Sequence, residues 1–250
     1  MHEHAIDPGT EAVLHTLARQ ASGLTGADVE RIVREARQKA RRERRHLSFD
    51  DLQAGLAATR PIWPETLRRR MAIHEAGHVV AHLTLGTARI ETVTIDGPQG
   101  GHVEGETYSL VAQSEAGIAA QIVTKLAGRA AEEEILGSVS AGAGGSPRSD
   151  LGLATELALA METTLGFSKQ MPLLHRQVEA KFAQLADGAD LAIRVNDRLE
   201  HAYRQARELI RRHRPSVQRI ADALMTVGTL DGNELDALMS DSDRNGNTGS

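Results

Sequence analysis

Between Met71 and Leu85 the chain reads MAIHEAGHVVAHLTL, and no other stretch restricts its possible folds so strongly. His74 and His78 are four positions apart, so in a helix of about 3.6 residues per turn both imidazoles leave one face, where they can share a cation. Glu75 sits roughly a quarter-turn away. The neighbours Ala76, Gly77, Val79, Val80 and Ala81 are small or apolar, which buries the helix, and buried imidazoles need partners. A zinc held by two neutral imidazoles and one further protein ligand keeps a position for water, whose proton an adjacent carboxylate can accept. Glu75 is therefore the candidate general base. His82 extends the series, but it lies roughly 12 Å from His74 along the axis, and the two cannot reach one ion. It is expected to be a core histidine or to support a ligand, and the third ligand must come from elsewhere. The competing reading is an ordinary helix that carries two surface histidines by chance.

The chain has no cysteine, so a metal here must be held by His, Asp, Glu and water. Its 250 residues are 40% hydrophobic but only 2% aromatic. That supports two modest cores built from Ala, Leu, Ile and Val in a mainly α fold. A net charge of -5 excludes a dedicated nucleic-acid binder. The chain has neither a run of 18 apolar residues nor an apolar signal core, so it is expected to be cytoplasmic, without a membrane segment.

In chain order, residues 1–9 read as a frayed start, and Glu11 to Gln20 as a helix ended by Ser22-Gly23. Thr25-Gly-Ala-Asp28 caps a helix to about Arg44, with an apolar stripe through Val29, Ile32, Val33, Ala36 and Ala40. Its basic end, KARRERR, reads as a solvated terminus rather than a nucleic-acid contact. Ser48 to Asp51 caps a short third helix. The prolines of Arg60-Pro-Ile-Trp-Pro64 mark a linker, which divides the chain into residues 1–59, residues 60–239 and a disordered tail at 240–250. After the histidine helix, Ile90–Ile95 and His102–Tyr108 form a small β-hairpin around Gly97-Pro-Gln-Gly-Gly101, with His102, Glu104 and Glu106 as turn or solvent-face residues. Such a strand beside a metal helix can hold an extended peptide by main-chain pairing. Ser114 to Leu136 is a long helix whose small residues, in AGRAA, let another helix approach closely. Asn196–His213 and Pro215–Val227 form a later antiparallel helix pair. Two sources of carboxylate compete for the third ligand. Asp150 follows a glycine-rich loop that can aim it back at the metal, whereas Glu132 or Glu133 belongs to a run of three acids of which at most part can face inward.

The segments LARQASGLTGADVERIVREARQKA and LSFDDLQAGL resemble the helical lid of an AAA ATPase. None of the lysines Lys39, Lys125, Lys169 and Lys181 follows a glycine, so the phosphate-binding loop of such a motor is missing. Further on, HEAGHVVAH, AGRAAEEEILG, SDLGLATELALAMETTLGFS, RLEHAYRQARELIRRHRPSVQRIADALM and TLDGNELDALM together resemble the peptidase domain of FtsH-type ATP-dependent zinc proteases. That resemblance implies a helical lid at 1–59 followed by a mostly helical zinc-peptidase domain, with zinc bound by His74, His78 and Asp150. It also implies a homohexamer that degrades unfolded polypeptides. Its ATPase core would lie in a parent protein or another chain, and a membrane anchor would leave the protease facing the cytosol. The chain departs from the family in lacking the anchor and the ATPase core. The loop SAGAGGSPRS before Asp150 is about four residues longer than the family's, and Lys169 to Asp187 lacks a glycine-rich stretch. The alternative function is a non-enzymatic module that joins a ring of complete subunits and regulates them.

Overall fold

The computed structural model describes residues 8–21, 23–60, 62–97, 100–108, 113–141, 144–176 and 189–245. Local signals shape the first helices. Helix α1 spans Pro8–Gln20, and α2, Gly26–Arg42, starts where the Thr25 hydroxyl accepts the Asp28 N–H at 3.2 Å while the Asp28 carboxylate accepts the Thr25 N–H at 3.2 Å. Ser48 and Asp51 repeat this arrangement at α3, Phe49–Ala58, where the Arg45 guanidinium also grips Asp51. Ile32, Ala36 and Ala40 of α2 are buried, while Val29, which the spacing puts on the same stripe, stays exposed. Gly55 lets α3 close onto α2, since a Cβ there would lie 2.8 Å from Ile32 Cγ2.

Helix α4 spans Glu65–Leu85, and every residue from Ala72 to Ala81 is buried. It has no solvent face over those ten positions because other elements surround it. The next helix, α5 at Glu115–Leu136, lies so close that a Cβ on Gly77 would come within 2.7 Å of Ala127 O and Ala131 Cβ. Strands β1, Ala88–Gly97, and β2, Gly100–Thr107, form the expected antiparallel hairpin, with Val93 opposite Val103. A third strand, β3 at Thr229–Asp231, pairs with the other edge of β1 and sets Val93 opposite Leu230, giving the sheet order β2-β1-β3. Its three residues are too few to show a periodicity, so only the pairing reveals it.

The remaining helices are α6 at Asp150–Thr163, α7 at Ala189–Arg212, α8 at Arg214–Val227 and α9 at Gly232–Asn245. Ile73, Val79, Val80, Ile95, Ile122, Met161, Ile210, Ile220 and Leu224 form a fully buried aliphatic core that unites α4 with α5 to α8 and the sheet. Each such side chain contributes about 1.5–3 kcal/mol over its exposed state, which lets a chain so poor in aromatics hold together. The linker is tied to the sheet where Arg60 and Arg68 both donate to Asp96, at 3.1 and 3.0 Å. At the other end α9 continues to Asn245, past the predicted start of the tail at 240, and the Ser240 hydroxyl donates to Asp236 O at 2.8 Å within it. Residues 1–7 and 246–250 of the predicted frayed ends, and 177–188 of the segment after Phe167, lie outside the described residues. No described helix is long and apolar enough to cross a membrane.

Candidate metal centre

On the buried face of α4, His74 and His78 bring their Nε2 atoms to 3.1 Å from each other. Asp150, the first residue of α6, directs Oδ2 to 3.2 Å from both nitrogens. Its position follows from the local chain: the Ser149 hydroxyl caps α6 by accepting the Gly152 N–H at 3.3 Å, which turns the helix start and its carboxylate toward α4. Among the described residues, these three form the group whose ligand atoms lie together, all within 4.8 Å of one another.

The donor set fits a zinc ion. Ligands held at about 2.0–2.1 Å in a tetrahedral shell stand roughly 3.3 Å apart, close to the observed spacings. The far side of each ring is also committed. His78 Nδ1–H donates to the Thr124 carbonyl at 2.9 Å and His74 Nδ1–H to Glu132 Oε1 at 2.8 Å. A carbonyl oxygen can only accept, so His78 carries its hydrogen on Nδ1 and, when neutral, turns the Nε2 lone pair toward Asp150. A lone pair and a carboxylate oxygen facing each other at this distance call for a cation between them. Gly128 of α5 leaves the room, since a Cβ there would lie 2.6 Å from both Nε2 atoms.

Charge points the same way. Burial pushes the Asp150 carboxyl up, but its contacts with His74 and His78 outweigh that and hold it well below the usual carboxylate range. Burial likewise disfavours the His74 imidazolium, yet Asp150 and Glu132 on either side of the ring outweigh it and raise its affinity for a proton. The cluster favours positive charge at its centre. Glu75 is 7% exposed, and burial raises its carboxyl while His78 and His74 pull it down. Its side chain rests on the backbone of β2, where a Cβ on Gly101 would meet Glu75 Oε1 at 2.6 Å. The turn glycine of the sequence is thus also the space that Glu75 occupies.

A cavity of about 310 Å³ opens over these groups, lined by Leu67, Arg70, Met71, His74, Glu75, Gly100, Gly101, Glu132, Ser140 and Asp150. A larger one of about 640 Å³, bounded by Leu85, Ala120, Arg204 and Leu209 among others, touches none of the histidine–aspartate group. The start of β2 therefore borders the site, while the rest of that strand is, among the described residues, an edge paired with β1 alone. His82 stays apart: its Nδ1 lies 2.8 Å from the Thr87 hydroxyl, and burial lowers it to about 4, so it is a neutral histidine. His102 pairs with Glu104 at 3.3 Å on β2, and Glu106 is exposed.

The three consecutive glutamates part ways. Glu133 accepts from the Tyr203 hydroxyl, and Glu134 is bound by Arg207 and Arg211 of α7. Glu132, 1% exposed, holds the Nδ1 side of His74 rather than the Nε2 side. Burial pushes its carboxyl up, but hydrogen bonds from His74, Arg70 and Ser140 outweigh this and hold it at about 2. Residue spacing leaves Glu132 and Glu133 equivalent, and it gives no sign that Thr124 or Gly101 adjoins the site, though it does put Arg70 on the helical face of His74. The small-residue run in AGRAA is the one signal that bears on Gly128.

Residues 62–238 match the profile of Peptidase family M41. The chain is 32% identical over 270 residues to "ATP-dependent zinc metalloprotease FtsH 1" of Sorangium cellulosum (strain So ce56), an alignment covering 98% of this chain and 43% of that protein. It is 34% identical over 268 residues to "ATP-dependent zinc metalloprotease FtsH 2" of the same organism, covering 92% and 42%. Against "ATP-dependent zinc metalloprotease FtsH" of Acidothermus cellulolyticus (strain ATCC 43068 / DSM 8971 / 11B) it is 33% identical over 246 residues, covering 88% and 36%. The chain thus spans less than half the length of the curated relatives it matches.

Proposed function

The chain belongs to peptidase family M41, and on that premise we propose that it is the proteolytic portion of an ATP-dependent zinc endopeptidase that cleaves unfolded polypeptides. The observation that carries this reading is the convergence of His74 Nε2, His78 Nε2 and Asp150 Oδ2 on one point beside Glu75. These three side chains would hold zinc, which when bound supplies Lewis-acid polarisation of a peptide carbonyl and lowers the pKa of water. Glu75 accepts the proton of the attacking water and returns it to the nitrogen of the departing amine. Burial serves that role, because it raises the carboxyl's affinity for a proton above that of an ordinary glutamate and so makes it a better base. The Gly100–Gly101 end of β2 offers main-chain groups at the cavity wall, where an extended peptide would lie as an added strand. Only an unfolded segment can present its backbone this way.

In this reading residues 1–59 are the remnant of an AAA lid and residues 60–239 the peptidase. The working form is a homohexamer in the cytosol, and the motor that feeds it lies elsewhere in a longer polypeptide or on another chain. Glu75→Gln should retain zinc and lose turnover by about 10²–10⁴-fold, the range for removal of a general base. Zinc analysis with a peptide-cleavage assay checks both, and wild-type turnover in Glu75→Gln would remove Glu75 from the mechanism. Because no lysine of the chain follows a glycine, cleavage of an unfolded protein by the purified chain should not respond to ATP. ATP-stimulated degradation by this chain alone would contradict that.

A further inference from the structure

Arg70 lies one helical turn before His74 on α4, at the wall of the same cavity. Its Nη1 donates to Glu132 Oε2 at 2.6 Å and to the Ser138 carbonyl at 3.0 Å, and its Nη2 donates to the Ser138 hydroxyl at 3.0 Å. Ser140 closes the other side of the carboxylate: its N–H donates to Glu132 Oε2 at 2.8 Å and its hydroxyl to Oε1 at 2.9 Å. Glu132 therefore has its orientation set from both sides, with Oε1 left facing His74 Nδ1 at 2.8 Å. Ser138 and Ser140 open the loop that runs on to Ser149 and delivers Asp150.

Resting on the zinc-site reading above, we infer that Arg70 is a positioning residue for the metal site: a single guanidinium sets the carboxylate that orients His74 and anchors the start of the loop that carries Asp150. Two of the three ligands thus depend on one side chain that touches neither. Arginine suits the task because its planar fork reaches a carboxylate and a neighbouring serine at once, which an ammonium on a flexible stem does not. A second role, as a docking point for a substrate carboxylate, is disfavoured because its charge is already paired with the buried Glu132 carboxylate at 2.6 Å. Without Arg70 the buried Glu132 carboxylate loses its cation, and the loop loses an anchor at its first turn.

The test uses the full chain, zinc-loaded and cobalt(II)-substituted, as wild type, Arg70→Ala, Arg70→Lys and His74→Ala. Arg70→Ala should release zinc to a chromophoric chelator roughly 10–100-fold faster, the usual range for groups that support a metal ligand. Its cobalt absorption should shift, kcat should fall with little change in KM, and Arg70→Lys should recover only part of the effect. A role in packing alone would lower the melting temperature and leave zinc release and the cobalt spectrum at wild type, which would overturn the inference. So would a rise in KM with unchanged zinc release, which would mark a substrate contact. If Arg70→Ala does not fold, Ser138→Ala removes only the hydroxyl that Nη2 binds and should hasten zinc release by a smaller factor; no change would be equally decisive against the inference. His74→Ala separates the two levels. Should it retain zinc as wild type does, the metal-site reading itself fails; should it lose zinc while Arg70→Ala behaves as wild type, only the role of Arg70 fails.

Discussion

Helices α2 and α3 are closed by contacts between residues three positions apart, Thr25 with Asp28 and Ser48 with Asp51. The candidate metal centre is closed by contacts between residues 46, 58 and 76 positions apart, from His78 to Thr124 and from His74 to Glu132 and Asp150. Both regions use carboxylates at or near helix starts, and both use serine caps. In the first, each cap completes its own helix. In the second, the cap at Ser149 matters because it aims Asp150 at another helix. A local motif thus tolerates a shift of its neighbours, whereas the site exists only while α4, α5 and α6 keep their relative places.

The sharpest way to break this contrast is at Asp150. Asp150→Ala should weaken zinc retention by more than the roughly 100-fold that marks the upper range for a merely supporting group. Glu133→Ala, which removes contacts to Tyr203 and Arg207 and none to the histidines, should retain zinc after dialysis against a mild chelator. Full zinc in Asp150→Ala with loss in Glu133→Ala would exchange their roles. A subtler case is Gly128→Ala, for which local and tertiary effects have opposite signs. Alanine favours a helix interior by about 1 kcal/mol over glycine, yet its Cβ would press on both Nε2 atoms at 2.6 Å. The variant should lose most of its zinc affinity, and its metal-free form should melt no higher than the wild type's, because crowding the imidazoles costs about 1–3 kcal/mol against the propensity gain. A zinc-loaded, more stable Gly128→Ala would show that the imidazoles can yield.

The smallest effects belong to the N-terminal helices. Thr25→Ala should cost about 1 kcal/mol in denaturant unfolding and leave zinc content unchanged. Loss of zinc on removal of this cap would mean that the two regions are coupled after all. At Asp51, hydrogen bonds from Arg45 and Ser48 hold the carboxyl below the usual range. Its folded form binds a proton less readily than its unfolded form, so its contribution to stability is whole above about pH 4 and is lost as the pH falls further. Asp51→Asn should flatten that acid limb of the unfolding curve, and an unchanged limb would argue against the Arg45 pairing.

Spacing alone puts His74 and His78 on one helical face with Glu75 beside them, and cap residues mark where α2 and α3 begin. Glycine and proline mark the linker and the β1–β2 turn. These features follow from the sequence because each depends on residues within a turn or two of one another. Which glutamate of three faces the histidines, why Gly101 and Gly128 must lack side chains, and where β3 pairs were decided by the tertiary structure alone. A helix fixes the angle at which a side chain leaves it but not what stands opposite, and that partner is set by how separate elements pack. The resemblance of several distant motifs to one family points to Asp150 ahead of that packing; the structure adds the physical cause, a capped helix start that brings a carboxylate to two imidazoles across a gap that only glycine leaves open.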